Sequence, residues 1–304
     1  LERCSNQKVG LDMAEFLAQY SIQRWMEMCP QGYLEDTVYG HEPDATEPEF
    51  ILADDDEREA AIRTTVSLVV GERCALAASS GLINAAPDYP SKRFLATQTL
   101  DEARHVEVFT QRLFDLGVKK DDLESTIDRY ANPNLVKFAE VLLEKVDNGD
   151  FVAGVVGQNI VLEGMAFTVF ELLEAGNREP NPKFSQTLRG TIADERRHVG
   201  FGENRIGSLI AQHPEKKAEI ERMQQEMSYY MLATFSDSFS NADAKPRPQS
   251  EVPVAAADFH GTDLATATPE EMEAVLANTV IGEFKTRLAR VGLEYQTPTV
   301  PVSA

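Results

Sequence analysis

The chain has 304 residues, 42% of them hydrophobic, a formal net charge of −21 and three cysteines. That length and composition suit one large domain or two small ones with a sizeable core, and the acidic balance argues against nucleic acid or an anionic membrane as partner, because a phosphate surface would be repelled. Cys4, Cys29 and Cys74 are too few and too irregular for a disulfide framework, which points to a reducing cytoplasm.

In chain order, Met13, Phe16, Leu17, Tyr20, Ile22 and Met28 recur at helical spacing and predict a first amphipathic helix over 11–28. It stops near Pro30 and carries Trp25, the only tryptophan, read as a packed aromatic. Residues 31–53 form an irregular acidic approach broken by Gly32, Gly40, Pro43 and Pro48. Asp54-Asp55-Asp56-Glu57 then supplies the cap and the N-terminal negative charge of a helix running to about Asn84. After the turn Ala86-Pro87-Asp88-Tyr89-Pro90 a partner helix runs to Leu116 and ends at Gly117. Residues 118–149 are a long connection with one short amphipathic piece over 134–146.

Helices over 150–175 and 182–212 form a second hairpin about the turn 176–182, and Pro214 marks its end. The apolar stretch 151–173 is interrupted by Gln158, Asn159, Glu163 and Glu171, so no uninterrupted run predicts a membrane span. A helix over 215–240 turns Met223, Met227, Tyr230, Met231 and Phe235 toward the body as packing. Residues 1–240 thus form one helical unit, and 241–304 a proline-rich linker over 245–253 followed by a helix packing on the bundle or on a partner subunit. Thr268-Pro269-Glu270-Glu271 has the form of a capping box opening that last helix, which stops near Gly292.

The chemistry lies in a pentad that occurs twice, Asp101-Glu102-Ala103-Arg104-His105 and Asp194-Glu195-Arg196-Arg197-His198. A Glu and a His three apart project from one helix face, so each pentad offers a carboxylate and an imidazole to one point. With five histidines in the chain, about half of one Glu-x-x-His is expected by chance; two matching pentads are not. A helical bundle that holds two metal ions adds one lone Glu from each of two further helices. Glu72 and Glu163, both in apolar surroundings where a carboxylate needs a positive partner, supply them. Residue 87 lies midway between Glu72 and Glu102, and residue 179 midway between Glu163 and Glu195. If each hairpin folds at its turn, all four ligand levels lie roughly 22 to 24 Å from a bend at about 1.5 Å per residue.

A metal-bound imidazole needs an acceptor for its other N–H, and Asp101 and Asp194 are read as those acceptors, crossing to His198 and His105, with Arg104 and Arg197 holding them ionised or, alternatively, facing solvent. Oxygen and imidazole donors without thiolates suit iron or manganese. Val69, Ala75, Leu76, Phe109, Phe167, Phe170 and Val199, near the ligands in sequence, are candidates for an apolar substrate pocket or for plain core packing.

The constellation Glu72, Glu102/His105, Glu163, Glu195/His198 resembles the ferritin-like di-iron carboxylate superfamily, in its oxygen-activating branch. The pentads look like those of bacterial multicomponent monooxygenases, and Val161-Leu162-Glu163-Gly164-Met165 with Asp194-Glu195-Arg196-Arg197-His198 is similar to ribonucleotide-reductase-like oxidases. The resemblance covers residues 55 to 235. It implies an all-α, ferritin-like four-helix bundle with additional N- and C-terminal helices, two Fe ions or a Mn/Fe pair, O2 as co-substrate and an external electron donor. The implied activity is oxidation of a small, partly apolar organic substrate by hydroxylation, N-oxygenation, desaturation or C–C cleavage, in a cytoplasmic homodimer. A reductase-type radical generator and a ferritin-like ferroxidase are the alternatives. Where radical-generating subunits carry a tyrosine one turn beyond the first histidine this chain has Phe109, and where ligand-binding oxidases form a Tyr–Val crosslink it has Gln158.

Overall fold

The structure is a computed structural model; it describes residues 26, 37–240, 258–259, 262–263 and 269–298. Apart from Met26, which is helical and buried, the expected helix over 11–28 with Trp25 lies outside the described residues, as does the proline-rich linker. A five-residue helix α1 (Glu49–Ala53) precedes the long helices α2 (Asp55–Ala85) and α3 (Tyr89–Asp115). The crossover holds α4 (Leu123–Tyr130) and α5 (Pro133–Asp147). Then come α6 (Phe151–Asn177), α7 (Pro182–Gln212) and α8 (Lys217–Ser240), a two-residue antiparallel ladder of Asp258–Phe259 with Thr262–Asp263, and α9 (Pro269–Arg290).

The boundaries follow from local chemistry. Asp54 accepts from the Asp56 and Glu57 amides at the start of α2, Asp88 from Ser91 at α3, Asn132 from Asn134 and Leu135 at α5, and Asn181 from Phe184 at α7. Each cap satisfies amides that the helix itself leaves without acceptors, for about 1 kcal/mol apiece. At the far end of α3, Gly117 takes φ 93°, and the Val118 and Gly117 amides return to Leu113 and Phe114 carbonyls, the hydrogen-bond pair that closes a helix on a left-handed glycine.

α2 and α3 fold back about residues 86–88, and α6 and α7 about 178–181, giving two antiparallel hairpins whose faces meet. On α2, α3 and α7 a polar level divides two buried apolar clusters, and α6 contributes to both. Val66 and Val69, Phe109 and Leu113, Phe170, and Leu188 lie on one side; Ala78 and Leu82, Leu95, Met165, and Ile206 lie on the other. α5 and α8 cover the larger cluster with Phe138, Leu142, Met227 and Met231, while α9 packs against α6 through Val280, Phe284 and Leu288, spaced four apart on one face.

Three features differ from the sequence expectation. α1 forms inside the segment read as irregular, with Ile51 buried beneath it. α4 interrupts the crossover, an eight-residue helix that buries only Ile127. α6 is not regular: Val156–Leu162 is π-helical, and the Glu163 amide bonds five residues back to the Gln158 carbonyl. By length and composition α2 and α6 could each cross a membrane, but half and 83% of their most apolar windows are buried inside the bundle, which makes them core helices.

Candidate metal centre

The polar level between the two clusters contains Glu72 from α2, Glu102 and His105 from α3, Glu163 from α6, and Glu195 and His198 from α7, all buried. They form two groups whose ligand atoms lie within 4.8 Å of one another: Glu72, Glu102, His105 and Glu195, and Glu102, Glu163 and His198. His105 Nδ1 is 3.3 Å from Glu72 Oε2 and 3.4 Å from both Glu102 Oε2 and Glu195 Oε1. His198 Nδ1 is 3.2 Å from Glu102 Oε1, 3.5 Å from Glu195 Oε2 and 3.9 Å from Glu163 Oε1. Glu102 and Glu195 therefore each present one oxygen to either imidazole.

Behind the imidazoles the pentads cross. His105 Nε2 lies 3.1 Å from Asp194 Oδ2, and His198 Nε2 lies 3.3 Å from Asp101 Oδ2. Arg197 reaches both aspartates, at 2.9 Å for Asp101 and 2.5 Å for Asp194, and the fully buried Arg104 lies 3.4 and 3.6 Å from them. A carboxylate paired with arginine only accepts, so it requires a hydrogen on Nε2 and makes Nδ1, which faces the glutamates, the nitrogen that would give its lone pair to a cation in place of a proton.

The charge balance points the same way. The two aspartates offset the two arginines, while four buried glutamates face two imidazoles. Burial pushes Glu72 up to about 8, and burial with Glu195 and Glu102 pushes Glu163 well above the carboxylate range. Burial would raise Glu102 too, but His198 and His105 hold it well below. Burial opposes charging the imidazoles, yet Glu72 and Asp194 hold His105, and Glu102 and Glu195 hold His198, well above the histidine range. The cluster thus demands positive charge, and two divalent cations would neutralise four carboxylates. Glu102 Oε2, Glu195 Oε2 and His198 Nδ1 are buried without a hydrogen-bond partner among the described residues, as ligand atoms aimed at a cation would be. The donor set fits a pair of ions of the iron or manganese type.

Three buried amides, absent from the sequence-level site, complete it. Gln98, Gln158 and Asn159 are each fully buried and donate to Glu163, at 2.6, 3.1 and 2.8 Å. Asn159 was visible only as a break in an apolar stretch, and Gln158 as such a break and as the residue standing where ligand-binding oxidases form a Tyr–Val crosslink. Gln98 lies one turn before Glu102, a signal too weak to single it out.

A cavity of about 200 Å³ reaches Glu72, Glu163 and Glu195. Of the sequence candidates for a pocket, Ala75 and Phe170 line it; Val69, Leu76, Phe109, Phe167 and Val199 do not. Val69 and Phe109 belong to the smaller apolar cluster, and Phe167 lies beneath the Arg287 guanidinium at 4.8 Å. The wall is made instead by Leu68, Leu162, Val169 and Leu173 with Met231 and Phe235 from α8.

No family model and no curated protein sequence matches the chain. Solved structures do. A Synechococcus protein with aldehyde deformylating oxidase activity superposes with a TM-score of 0.59 at 18% identity, over 80% of this chain and 94% of that one. An R2-like ligand-binding oxidase with an aerobically reconstituted Mn/Fe cofactor superposes with a TM-score of 0.67 at 14% identity, over 95% and 98%. A point mutant of such an oxidase with an anaerobically reconstituted Mn/Fe cofactor gives 0.67 at 16%, over 88% and 92%. At these identities what the likeness shows is the fold: the chain is a ferritin-like helical bundle, the architecture it shares with these oxidases.

Proposed function

We propose that the protein is a non-haem di-metal oxidase or oxygenase that uses O2 to oxidise a small, partly apolar organic substrate. The observation that carries this reading is the convergence of Glu72, Glu102, His105, Glu163, Glu195 and His198 into two buried groups sharing Glu102, beside an apolar cavity. Two iron ions, or a manganese–iron pair as in the R2-like structures, would supply the electrons that reduce O2, replenished by an external reductant or electron-transfer protein. His105 and His198 present Nδ1, Glu102 and Glu195 span the two positions, and Asp194 and Asp101 hold the imidazole tautomers. The cavity walls from α2, α6 and α8 exclude water and place an apolar group against Glu72, Glu163 and Glu195. Among the described residues only Thr64, Ser67 and Thr234 add neutral polar groups to its lining, which suits a substrate with one polar function on an apolar body. The compartment is the cytoplasm and the assembly a homodimer on this reading.

Anaerobic loading with Fe(II), metal analysis and an optical spectrum after exposure to O2 test it. Two iron ions per chain and a spectral change on oxygenation are expected. A chain that takes up no iron, or one whose Glu102→Ala variant behaves like the parent, refutes the reading.

A further inference from the structure

Glu163 is tied differently from the other glutamates. Its Oε1 accepts from Gln98 Nε2 at 2.6 Å and Gln158 Nε2 at 3.1 Å, and its Oε2 from Asn159 Nδ2 at 2.8 Å. The amides are themselves anchored. Gln158 also donates to the Ala75 carbonyl of α2 at 3.1 Å, Gln98 to Glu102 Oε1 at 3.3 Å, and Asn159 to Gln98 Oε1 and the His198 carbonyl at 3.2 and 3.3 Å. In an α-helix the residues beneath position 163 would be 159 and 160. The π-helical stretch shifts this to 158 and 159, so that both amides reach the one carboxylate. The backbone of α7 makes room: a Cβ on Gly202 would sit 2.4 Å from the Asn159 Cβ, closer than such atoms approach.

A carboxylate has about four acceptor positions, two on each oxygen. Three are filled, so one lone pair is left for an ion. Glu72 is the contrast: it lines the same cavity as Glu163, but its hydrogen-bond contact among the described residues is His105 alone, at 3.3 Å.

We propose that Gln98, Gln158 and Asn159 are positioning residues that restrict Glu163 to one-point ligation of the ion beside His198, leaving Glu72, which no amide holds, free to change its mode of binding. The inference rests on the di-metal reading above. Its consequence is that the two ion positions are unequal: the carboxylate at one is held by an amide cage, and the carboxylate at the other is free to adjust.

The test uses Co(II) as the probe, without O2. In a crystal structure of the Co(II)-loaded protein one Glu163 oxygen contacts an ion while the other is held by the amides. Asn159→Leu and Gln158→Leu each bind one Co(II) as the parent does and the second about 10- to 100-fold more weakly, with the visible spectrum of that ion altered. Gly202→Ala, which touches no amide group, gives the same pattern by displacing Asn159, and circular dichroism checks that each variant folds. Glu163 chelating through both oxygens in the loaded parent, or folded variants that bind both ions as tightly as the parent, overturns this inference alone. A parent that binds no Co(II) overturns the di-metal reading and this inference with it.

Discussion

Replacing Asp194 with Ala separates the two ion positions, because the aspartates are crossed with respect to the pentads that carry them. Asp194 belongs to the α7 pentad but lies 3.1 Å from the Nε2 of His105 on α3. Removing its carboxylate lets the His105 proton move to Nδ1, where it blocks the lone pair facing Glu72, Glu102 and Glu195. Loss of such an outer acceptor weakens an ion by about 10- to 100-fold, or about 1.4 to 2.7 kcal/mol. The neighbouring His198 keeps its own acceptor, Asp101 at 3.3 Å, and the ion beside it is expected to bind as before. Asp101→Ala has the reverse effect. The assay is a Zn(II) titration of protein labelled with 15N at histidine, in which the Nδ1 and Nε2 shifts of each ring report tautomer and ligation separately. If Asp194→Ala weakens the ion at His198 instead, or both positions equally, the crossed arrangement is not what orients the imidazoles.

Glu47 and Arg112 form a buried pair, with Asn181 donating to Glu47 at 2.8 Å and Arg112 donating to Thr65 at 2.6 Å. Glu47→Ala is expected to cost about 3 to 5 kcal/mol in denaturant unfolding by leaving the guanidinium unpaired, whereas Glu47→Leu with Arg112→Met is close to neutral; equal losses in the two would show the pair to be dispensable. Glu174 closes the α6–α7 turn, accepting from Arg178, Ser185 and Arg189. Burial would raise its carboxyl, but those donors hold it below its usual value, so its contribution is full above the unfolded pKa of about 4.3 and is lost as pH falls through the lower folded value. Glu174→Gln should therefore cost about 1 to 2 kcal/mol at pH 7, small because both arginines are largely exposed, and the gap from the parent should close in acid unfolding below about pH 4. Burial pushes the Cys74 thiol up to about 12, so at pH 8 only about one part in ten thousand is thiolate. Iodoacetamide should label its tryptic peptide only after denaturation, and rapid labelling of the folded protein would contradict that burial.

The long helices were legible because their ends are written in short-range chemistry. Asp54, Asp88 and Asn181 cap the helices that the capping and proline patterns predicted, and hairpins folding at residues 87 and 179 bring ligands spaced equally from each bend to one level. What escaped has physical reasons too. α4 buries a single side chain, too little for periodicity to register. Every residue of Val156–Leu162 is buried, and a helix buried on all sides shows no apolar stripe from which a wider turn could be distinguished. Four of the six candidate ligands stand out because Glu-x-x-His needs only local geometry, and Glu72 and Glu163 through their apolar surroundings and register, whereas Gln98 becomes relevant through Glu163, 65 positions away.

The cavity shows the same limit from another side. Nearness in sequence to a ligand selected Val69, yet Leu68 lines the wall; nearness could not select Met231 or Phe235, which arrive on α8 and read in the sequence as packing. Those side chains cover the larger apolar cluster and wall the cavity at once. The bundle buries its polar level between two apolar clusters, so the four carboxylates need compensating partners, of which imidazoles and amides are the ones the chain itself supplies. On the di-metal reading, binding of ions and folding of the core would be linked: whatever neutralises Glu72, Glu102, Glu163 and Glu195 also stabilises the packing of α2, α3, α6 and α7 around them.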